Sequence, residues 1–448
     1  QAGQQNVDML VVLNDNEMSI GRSVGALAAS LSRVRAEVEP AIRRFRRDLE
    51  RLLRPMPGGD AMVLLADRVR EGMKELVVPG MLFEHLGITY LGPIDGHDLV
   101  QLLAMLEQAK RLPGPVLLHV LTTKGKGYDP AECDPQAFHG TRPFDLSNGH
   151  EEPREGPPTY SQVFGQALSD LAEGDKRIVA VSAAMIDGTG LQDFRRLFPD
   201  RCFDVGMAEE HAVTFAGAMA ADGMRPVVAI YSTFLQRAYD QILHDVCLQG
   251  LPVVLALDRA GLVGDDGPTH HGVFDLSYLR NIPGLTIMAP SDEAELRDML
   301  RTALSLDGPV ALRYPRGQGT GADISGAMQV LPTGRGRVVR EGAAVTLLAI
   351  GSMVRTALAA AEQLADEGLE ATVVDARFVK PLDEALVLQL GARHGRRMGQ
   401  QAAQAGGEAL GLLLPVGQQR GRRHQQAGAG MRRGLLQHQQ ERQHLYGL

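Results

Sequence analysis

The sequence predicts an α/β protein built from three open, mostly parallel sheets. Short apolar runs without alternation are typical of buried parallel strands. Segments with helical periodicity separate these runs, and the strands end on Gly, Pro, Asn or Asp. The 448 residues are enough for two or three domains with substantial cores.

The first domain is expected over residues 1–150. Residues 7–13 read as a buried parallel strand, and residues 26–76 as amphipathic surface helices. Two strand-then-loop segments, 88–98 and 115–128, are separated by a helix predicted at 99–111. Residues 129–159 hold many Pro, Gly and charged residues, which predicts a functional loop followed by a linker.

A second domain is expected at 158–322 and the start of a third at 335–390. The strands predicted for the second are 177–183, 226–231, 252–258 and 286–290, and its helices are 160–173, 209–221, 234–249 and 292–306. The third domain begins with a strand near Ala343, followed by a helix at 353–367.

Residues 391–448 form a tail of different character. They hold nine Arg and two Glu but no Lys or Asp, so the tail is basic although the whole chain carries a net charge of −8. The composition predicts disorder. A shifted reading frame and, less favoured, a basic nucleic-acid-binding arm are the alternatives. The acidic body argues against general nucleic-acid affinity.

Three widely separated cysteines without metal-ligand spacing predict reduced thiols and a cytoplasmic protein. The sequence has no run of 18 apolar residues, so we expect no membrane span. It begins with Gln1 rather than Met, which suggests a fragment or a processed chain.

The stretch "MLVVLNDNEMS" ends an apolar run on Asn14, Asp15 and Asn16. Ligands bind at the carboxyl ends of strands in open α/β sheets, and such oxygens suit Mg²⁺. A simple turn is the competing interpretation. The Gly-rich stretch "TKGKGYDPAECDPQAFHG" carries Lys124, Tyr128 and His139, and it indicates either a phosphate-binding loop or a solvated turn.

Two further motifs concentrate polar groups beside predicted strands. "DVGMAEEHAVTFAGAMAADG" places Glu209 and Glu210 at the start of a helix of small residues, as a dipole-favoured first turn or as a buried acid facing a ligand. In "LDRAGLVGDDGPTHHGVFD", Arg259, Asp265, Asp266, His270 and His271 lie within thirteen residues of one loop, and "ALRYPRGQG" adds Arg316 at another strand end.

Taken together and in this order, these motifs resemble the 1-deoxy-D-xylulose-5-phosphate synthase family, thiamine-diphosphate enzymes of the transketolase superfamily. The resemblance covers residues 1 to about 390. It implies three domains of the transketolase type: a diphosphate-binding domain, a pyrimidine-binding domain and a C-terminal domain. It also implies a homodimer, and the close-packing helix at 212–221 fits an interface.

The resemblance implies thiamine diphosphate and Mg²⁺ as cofactors. Asn16 and the backbone carbonyl of Met18 match metal ligands, and Glu209 matches the glutamate that bonds the aminopyrimidine ring. The remaining cofactor-binding positions are Lys124, Tyr128, Tyr231 and Phe234. His139, His270 and Asp266, with Glu209, match catalytic positions, and the substrate-binding positions are Arg259, Arg316, Tyr231 and Arg237.

The implied reaction is the decarboxylative condensation of pyruvate with D-glyceraldehyde 3-phosphate to 1-deoxy-D-xylulose 5-phosphate and CO₂, which feeds isoprenoid, thiamine and pyridoxal biosynthesis. The family's "GDG" metal-binding segment is missing, so we expect weak cofactor binding and low activity from this chain. The alternatives are another transketolase-superfamily enzyme, such as a ketol transferase or a 2-oxo-acid dehydrogenase β-type component, and a non-catalytic remnant.

Overall fold

The computed structural model describes residues 1–16, 18, 80–151, 155–393 and 412–415. The chain forms two compact units. The first comprises residues 1–156, 181–187 and 202–212, and the second comprises the rest. The amphipathic helices predicted at 26–76 lie outside the described residues. In the described part, no helix combines the length and the apolar character that crossing a membrane requires.

The first unit contains a three-stranded parallel sheet in the order β1–β3–β2. Its strands are β1 Met9–Asp15, β2 Thr89–Asp95 and β3 Pro115–Leu121. A helix, Leu99–Ala109, connects β2 to β3, and the Asp98 side chain caps its N-terminus by accepting from two backbone N–H groups. The predicted strand–helix–strand order is therefore confirmed here. The other helices of this unit are Ala2–Gln5, Gly80–His85, Asp129–Cys133 and a 3₁₀ turn, Ala137–His139.

The prediction that the first strand is buried is wrong. The side chains of Leu10 and Val12 are 37% and 49% exposed, whereas Leu118 of β3 is fully buried. Both strands are continuous apolar runs, but β1 lies at the edge of this sheet and β3 at its centre. Ile94, Leu118 and Val120 form the small core of the sheet. The apolar runs therefore predicted the parallel pairing correctly. They did not predict which of the two strands is buried.

The second unit is built on a larger sheet in which β8, β9, β7 and β6 are parallel neighbours. These strands are β6 Arg225–Tyr231, β7 Val254–Asp258, β8 Thr286–Met288 and β9 Val310–Arg313. Strand β13, Phe378–Lys380, pairs antiparallel with β8. The first three residues of β4, Ile178–Ser182, belong to this unit, and its end and β5, Cys202–Asp204, belong to the first. All strands predicted for this region are present.

Helices cover this sheet close to the predicted positions. They are Tyr160–Gly174, Gln192–Leu197, Glu209–Ala221, Asp275–Leu279 and Glu293–Ser305, with short 3₁₀ turns at Pro199–Arg201, Gly264–Asp266 and Pro268–His270. The helix predicted at 234–249 is not continuous. It divides into a 3₁₀ turn, Phe234–Ala238, one α-helical turn, Tyr239–Gln241, and a π-helical segment, Ile242–Cys247.

The small residues of the helix Glu209–Ala221 serve a close approach within the chain. A Cβ added to Gly217 would lie 3.0 Å from the backbone oxygen of Asp245 in the π-helical segment. The Thr214 hydroxyl donates to the Asp245 carboxylate. This close approach explains why residue 217 is a glycine. It lies within one chain, so the homodimer stays a prediction.

A third sheet of mixed direction has the order β10–β12–β11–β14. Its strands are β10 Arg337–Arg340, β11 Val345–Ala349, β12 Ala371–Asp375 and β14 Leu412–Pro415, with helices Met353–Asp366 and Glu384–Arg393. The β11–β12 pair is parallel and the other two are antiparallel. Strand β14 falls within the tail predicted to be disordered. Most of that tail, 394–411 and 416–448, lies outside the described residues.

Candidate active site

The carboxyl end of β1 carries the oxygen atoms that the sequence assigned to a metal. The Asn14 side-chain oxygen accepts a 2.6 Å hydrogen bond from the Thr122 hydroxyl, which follows β3. The Asn16 side-chain oxygen accepts a 3.0 Å bond from the Met18 N–H. Asn16 and Met18, the two predicted ligands, therefore lie in one tight turn, and both would offer neutral oxygens.

A buried histidine, which sequence reasoning did not single out, contacts the middle residue of this motif. His119 of β3 is 6% exposed. Its Nε2 lies 2.9 Å from the Asp15 carboxylate, and its Nδ1 lies 2.6 Å from the Tyr90 hydroxyl. Asp15 is therefore bound to a residue of the neighbouring strand, directly before Asn16.

The Gly-rich loop after β3 begins with a lysine–histidine contact. Lys124 Nζ lies 3.1 Å from His139 Nδ1, so two predicted site residues meet. Gly125 and Gly127 have φ values of 80° and 94°, which glycine adopts without strain. A Cβ on Gly125 would also lie 2.7 Å from the backbone of Ala131, so the loop folds tightly on itself.

Tyr128 lies in an aromatic cluster of the same loop. Its ring centroid is 5.6 Å from that of Phe138 and 5.9 Å from that of Phe144. Its hydroxyl donates a 3.0 Å bond to the Leu146 carbonyl. The cluster rigidifies the loop that carries Lys124 and His139, and cofactor contact by Tyr128 stays a prediction.

The acidic pair that begins the helix Glu209–Ala221 divides into a buried and an exposed residue. Glu209 is 3% exposed, whereas Glu210 is exposed. The preceding turn is held by Asp204, whose carboxylate accepts from the N–H groups of Ala184 and Gly206. A carboxyl group buried at a helix N-terminus agrees with the prediction that one acid of the pair is buried.

In the second unit, the carboxyl end of β7 holds an ion pair whose carboxylate, Asp258, is fully buried. Asp258 is 0% exposed and accepts a 2.7 Å bond from the Ser161 hydroxyl. It also accepts a 2.6 Å bond from the Arg259 backbone N–H and lies 3.1 Å from the Arg259 guanidinium. Burial raises the pKa of Asp258, and the adjacent arginine opposes that shift.

Arg259 contacts several groups of its own unit, although its Nε makes no hydrogen bond within the described residues. Its guanidinium carbon lies 4.1 Å from the ring centroid of Tyr231, and its Nη1 donates to the Gly188 carbonyl. Its backbone has a φ of 58°, a left-handed conformation that is costly for a residue with a Cβ. The surrounding bonds keep this conformation in place. Burial raises the pKa of Tyr231 to about 12, so its hydroxyl stays protonated.

A second arginine joins this network through one carboxylate. Asp266 Oδ2 lies 2.8 Å from Arg316 Nε and 3.7 Å from Arg259 Nε. The predicted substrate-binding arginines are thus bridged by the predicted catalytic aspartate. Two guanidinium groups around one oxyanion form an arrangement that suits a phosphate equally well.

Aromatic rings lie beside the arginines. Tyr231 and Phe234 stack with centroids 5.7 Å apart and planes 21° apart, and the His270 ring is 5.2 Å from Phe234. The Arg237 guanidinium lies 5.4 Å from the Phe234 centroid. The structure thus brings together the site residues predicted for the second unit.

Sequence reasoning did not single out the partners that hold this cluster. They are Ser161, Gly188 and Asp258. The available signal was the acidic residue directly before Arg259, at the end of an apolar strand. The Ser161 partnership joins positions 97 residues apart, which spacing along the chain does not reveal.

The side chains present suit thiamine diphosphate and Mg²⁺ in their chemistry. Glu209 is a buried carboxyl group for a ring nitrogen, and Tyr231 and Phe234 offer aromatic surface. Asn16 and Met18 offer hard oxygens, and Lys124 offers a cation for a diphosphate. Among the described residues, no group of three or more His, Cys, Asp or Glu could hold a metal alone.

Three family models match consecutive parts of the chain. The 1-deoxy-D-xylulose-5-phosphate synthase model matches residues 1–122, the transketolase pyrimidine-binding domain matches 156–320, and the transketolase C-terminal domain matches 334–407. The last match extends to residue 407, within the tail that was predicted to be disordered. The α/β, transketolase-type fold is thereby confirmed.

Curated relatives carry the same name as the first model. The 1-deoxy-D-xylulose-5-phosphate synthases of Pelotomaculum thermopropionicum and Desulforudis audaxviator are each 56% identical to the chain over 88% of its length. The chain spans 61% and 62% of those proteins. A solved structure, "Split gene transketolase, inactive beta4 tetramer", is 30% identical with a TM-score of 0.48, covering 53% of this chain and 78% of its own. The chain is therefore similar to 1-deoxy-D-xylulose-5-phosphate synthases over 88% of its length, and it spans less than two thirds of theirs.

Proposed function

We propose that the chain serves the thiamine-diphosphate-dependent condensation of pyruvate with D-glyceraldehyde 3-phosphate, which releases CO₂ and gives 1-deoxy-D-xylulose 5-phosphate. The observation that carries this proposal is the pair of arginines, Arg259 and Arg316, around one oxyanion position beside the Tyr231–Phe234 rings. This arrangement supports a phosphorylated acceptor next to an aromatic surface, and the curated relatives bear the name of this synthase.

When bound, thiamine diphosphate supplies an electron sink that stabilises the negative charge left by decarboxylation. The chain supplies groups that bind and orient. Glu209, a buried carboxyl group, would hold the aminopyrimidine ring by a hydrogen bond. Asn16 and the Met18 carbonyl would hold Mg²⁺ through neutral oxygens, so the diphosphate would remain the dominant charge on the ion.

The substrate phosphate would bind at Arg316, the more accessible of the two arginines. Its side chain is 32% exposed, whereas that of Arg259 is 14% exposed and engaged with Asp258. Phosphate binding would take the place of the Asp266 carboxylate on Arg316. Arg259 would then position Tyr231 and Asp258 rather than act as the main phosphate ligand. His270, which lies against Phe234, would bind the acceptor's carbonyl oxygen.

Release of labelled CO₂ tests the reaction class. The protein is incubated with thiamine diphosphate, Mg²⁺ and pyruvate labelled at its carboxyl carbon, with or without glyceraldehyde 3-phosphate. We expect slow CO₂ release that requires the aldehyde, with a new sugar phosphate in equal amount, in keeping with the low activity expected of this chain. A ketol transferase would instead need a ketose donor. Absence of release under all these conditions, with the fold intact, would support a non-catalytic role.

The Arg316→Met variant links the reaction to the proposed site. We expect a higher KM for glyceraldehyde 3-phosphate and an unchanged KM for pyruvate, because only the former carries a phosphate. Arg301→Met is the matched control, since Arg301 lies on the exposed face of the helix Glu293–Ser305. An equal loss for both substrates in Arg316→Met would contradict phosphate binding there.

The cytoplasmic location, the homodimer and the absence of nucleic-acid and membrane partners remain part of this proposal. The homodimer is tested by sedimentation equilibrium of the intact chain, with a dimer mass expected.

A further inference from the structure

The contact between Lys124 and His139 has a chemical consequence beyond phosphate binding. Lys124 lies three residues after the end of β3, and His139 ends the 3₁₀ turn Ala137–His139. The loop between them folds back so that Lys124 Nζ lies 3.1 Å from His139 Nδ1. The contact therefore depends on the fold of the whole loop and not on neighbouring positions in the sequence.

The direction of this hydrogen bond is fixed by the side-chain chemistry. A lysine ammonium group has three donors and no acceptor, so His139 Nδ1 must accept. An accepting Nδ1 carries a lone pair and no proton. The neutral imidazole must then carry its proton on Nε2.

The charges around His139 favour the neutral ring. Burial and the charge of Lys124 lower the pKa of His139. Two carboxylates contact the same turn, and both are engaged elsewhere. Asp134 accepts from the Ala137 N–H, and Asp187 accepts from the Gln136 side chain.

The loop holds Lys124 so that the bond persists. Lys124 is partly buried, and burial lowers its pKa. The neighbouring Gly125 packs on the backbone of Ala131, and the Tyr128–Phe138 ring contact fixes the turn that ends at His139. The next lysine, Lys126, points to a different partner, Glu132, at 3.6 Å.

We propose that Lys124 locks His139 as the neutral Nε2–H tautomer, so that His139 donates a hydrogen bond to a substrate carbonyl oxygen and does not act as a general base. Both ring nitrogens are then committed, Nδ1 to Lys124 and Nε2–H to the substrate. The substrate part of this inference rests on the proposed function, and the tautomer does not. It refines the expectation that His139 transfers protons.

Nitrogen NMR of the histidine side chains tests the tautomer in the intact protein without substrate or cofactor. The His139 signal among the 13 histidines is identified by its loss in His139→Gln. We expect a pyridine-type Nδ1 and a protonated Nε2 at neutral pH, and a His139 pKa below the ordinary value of 6.5.

The Lys124→Gln variant should raise the His139 pKa and reduce the preference for the Nε2–H tautomer, because the charge and the obligate donor are lost. Lys124→Arg keeps a charged donor and should preserve the tautomer. Lys126→Gln is the matched control in the same loop and should leave the His139 signal unchanged.

Either of two results would overturn the inference: a protonated Nδ1 in the unaltered protein, or an unchanged His139 tautomer and pKa in Lys124→Gln. Unchanged signals of the other histidines show that each variant is folded. The proposed function is judged separately by labelled CO₂ release. A locked tautomer without CO₂ release would therefore overturn the function and leave the tautomer assignment standing.

Discussion

The two units both place an aspartate at the end of a parallel strand, but they treat its charge differently. In the first unit, the side chain of Asp15 is 28% exposed and bonds to a histidine. In the second, Asp258 is fully buried and meets the permanent charge of Arg259. In the second unit, the charge of Asp258 is therefore compensated by a side chain of the same unit. The first presents neutral oxygens at Asn16 and Met18, which a metal would share with an added anion.

This contrast implies that the charged cluster of the second unit is preorganised, whereas the oxygens of the first unit need a ligand to complete a cation site. A site whose charges are already paired is rigid before binding and sensitive to removal of either partner. Replacing a residue in a site of neutral oxygens costs little folding stability. Without an added anion, such a site binds a cation weakly. Single substitutions in the two units are expected to affect stability and binding in the following decreasing order.

Removal of the Arg259 charge should be the most destabilising change. Arg259→Met leaves the buried Asp258 carboxylate without its cation, and breaking a buried pair costs about 3–5 kcal/mol. Urea unfolding measures the loss. Arg316→Met is the control, because Arg316 pairs with the more accessible Asp266 and should cost about 1 kcal/mol or less. Equal losses would contradict the claim that Asp258 depends on Arg259.

A methyl group at Gly188 should disturb the same cluster by overpacking. A Cβ there would lie 1.8 Å from the Tyr231 hydroxyl, so Gly188→Ala must displace the ring on which Arg259 rests. We expect a loss of about 1–3 kcal/mol in thermal unfolding. Gly308→Ala is the control, since its added Cβ meets nothing within 4 Å. A neutral Gly188→Ala would show that the cluster is looser than its distances indicate.

Asp375 provides a pH test, because it is a buried carboxylate that is compensated less well than Asp258. Its Oδ2 has no hydrogen bond among the described residues, and Arg337 Nε lies 3.4 Å away. Burial, with the neighbouring charge of Glu295, raises the pKa of Asp375 to about 7. A raised pKa in the folded state means that its contribution to stability is complete below the unfolded value and is lost as pH rises through neutrality.

We therefore expect the unaltered protein to lose more stability between pH 5 and pH 8 than Asp375→Asn does, by on the order of 1 kcal/mol. Denaturant unfolding at the two pH values measures the difference. Asp323→Asn is the control, since Asp323 is exposed and its pKa is lowered by hydrogen bonds to Ser325. The opposite sign, with greater stability at the higher pH, would contradict the burial of an ionisable Asp375.

A carboxylate at position 16 should alter metal affinity with the smallest cost in stability. Asn16→Asp adds a charged ligand where the turn now offers a neutral one, so we expect Mg²⁺ affinity in the absence of cofactor to rise about tenfold, or ~1.4 kcal/mol. Isothermal calorimetry measures it. Asn14→Asp is the control, because Asn14 is not a predicted metal ligand and its oxygen accepts from the Thr122 side chain, whereas that of Asn16 accepts from a backbone N–H. A rise in the control alone would place the metal at Asn14.

Much of the fold followed from the sequence because apolar runs and helical periods report local burial. The helix Glu209–Ala221 and the strand β7 lie within two residues of their predicted bounds. The exposed β1 and the broken helix after Phe234 did not follow, since coverage of a strand and a π-helical segment depend on neighbours distant in the sequence. Strand β14 was missed because "LLLP" is short and surrounded by Gln and Gly.

The candidate site was predicted in its charged residues but not in their pairing. Arg259, Asp266 and Arg316 were named from motifs, yet their shared contact is a property of the folded loop. Lys124 was assigned to the cofactor because it lies among glycines, whereas its observed partner is His139. Motifs gave the residue types, and the tertiary fold determined which groups meet.

The most direct test of the contrast is calorimetric titration with glycerol 3-phosphate, an unreactive analogue of the acceptor, in a buffer free of divalent metal and in the same buffer with Mg²⁺ and thiamine diphosphate added. A preorganised Arg259–Arg316 cluster predicts binding whose affinity is the same with and without Mg²⁺ and thiamine diphosphate, and which Arg316→Met abolishes. Binding that appears only after the cofactor and the metal are added would contradict preorganisation of the second unit.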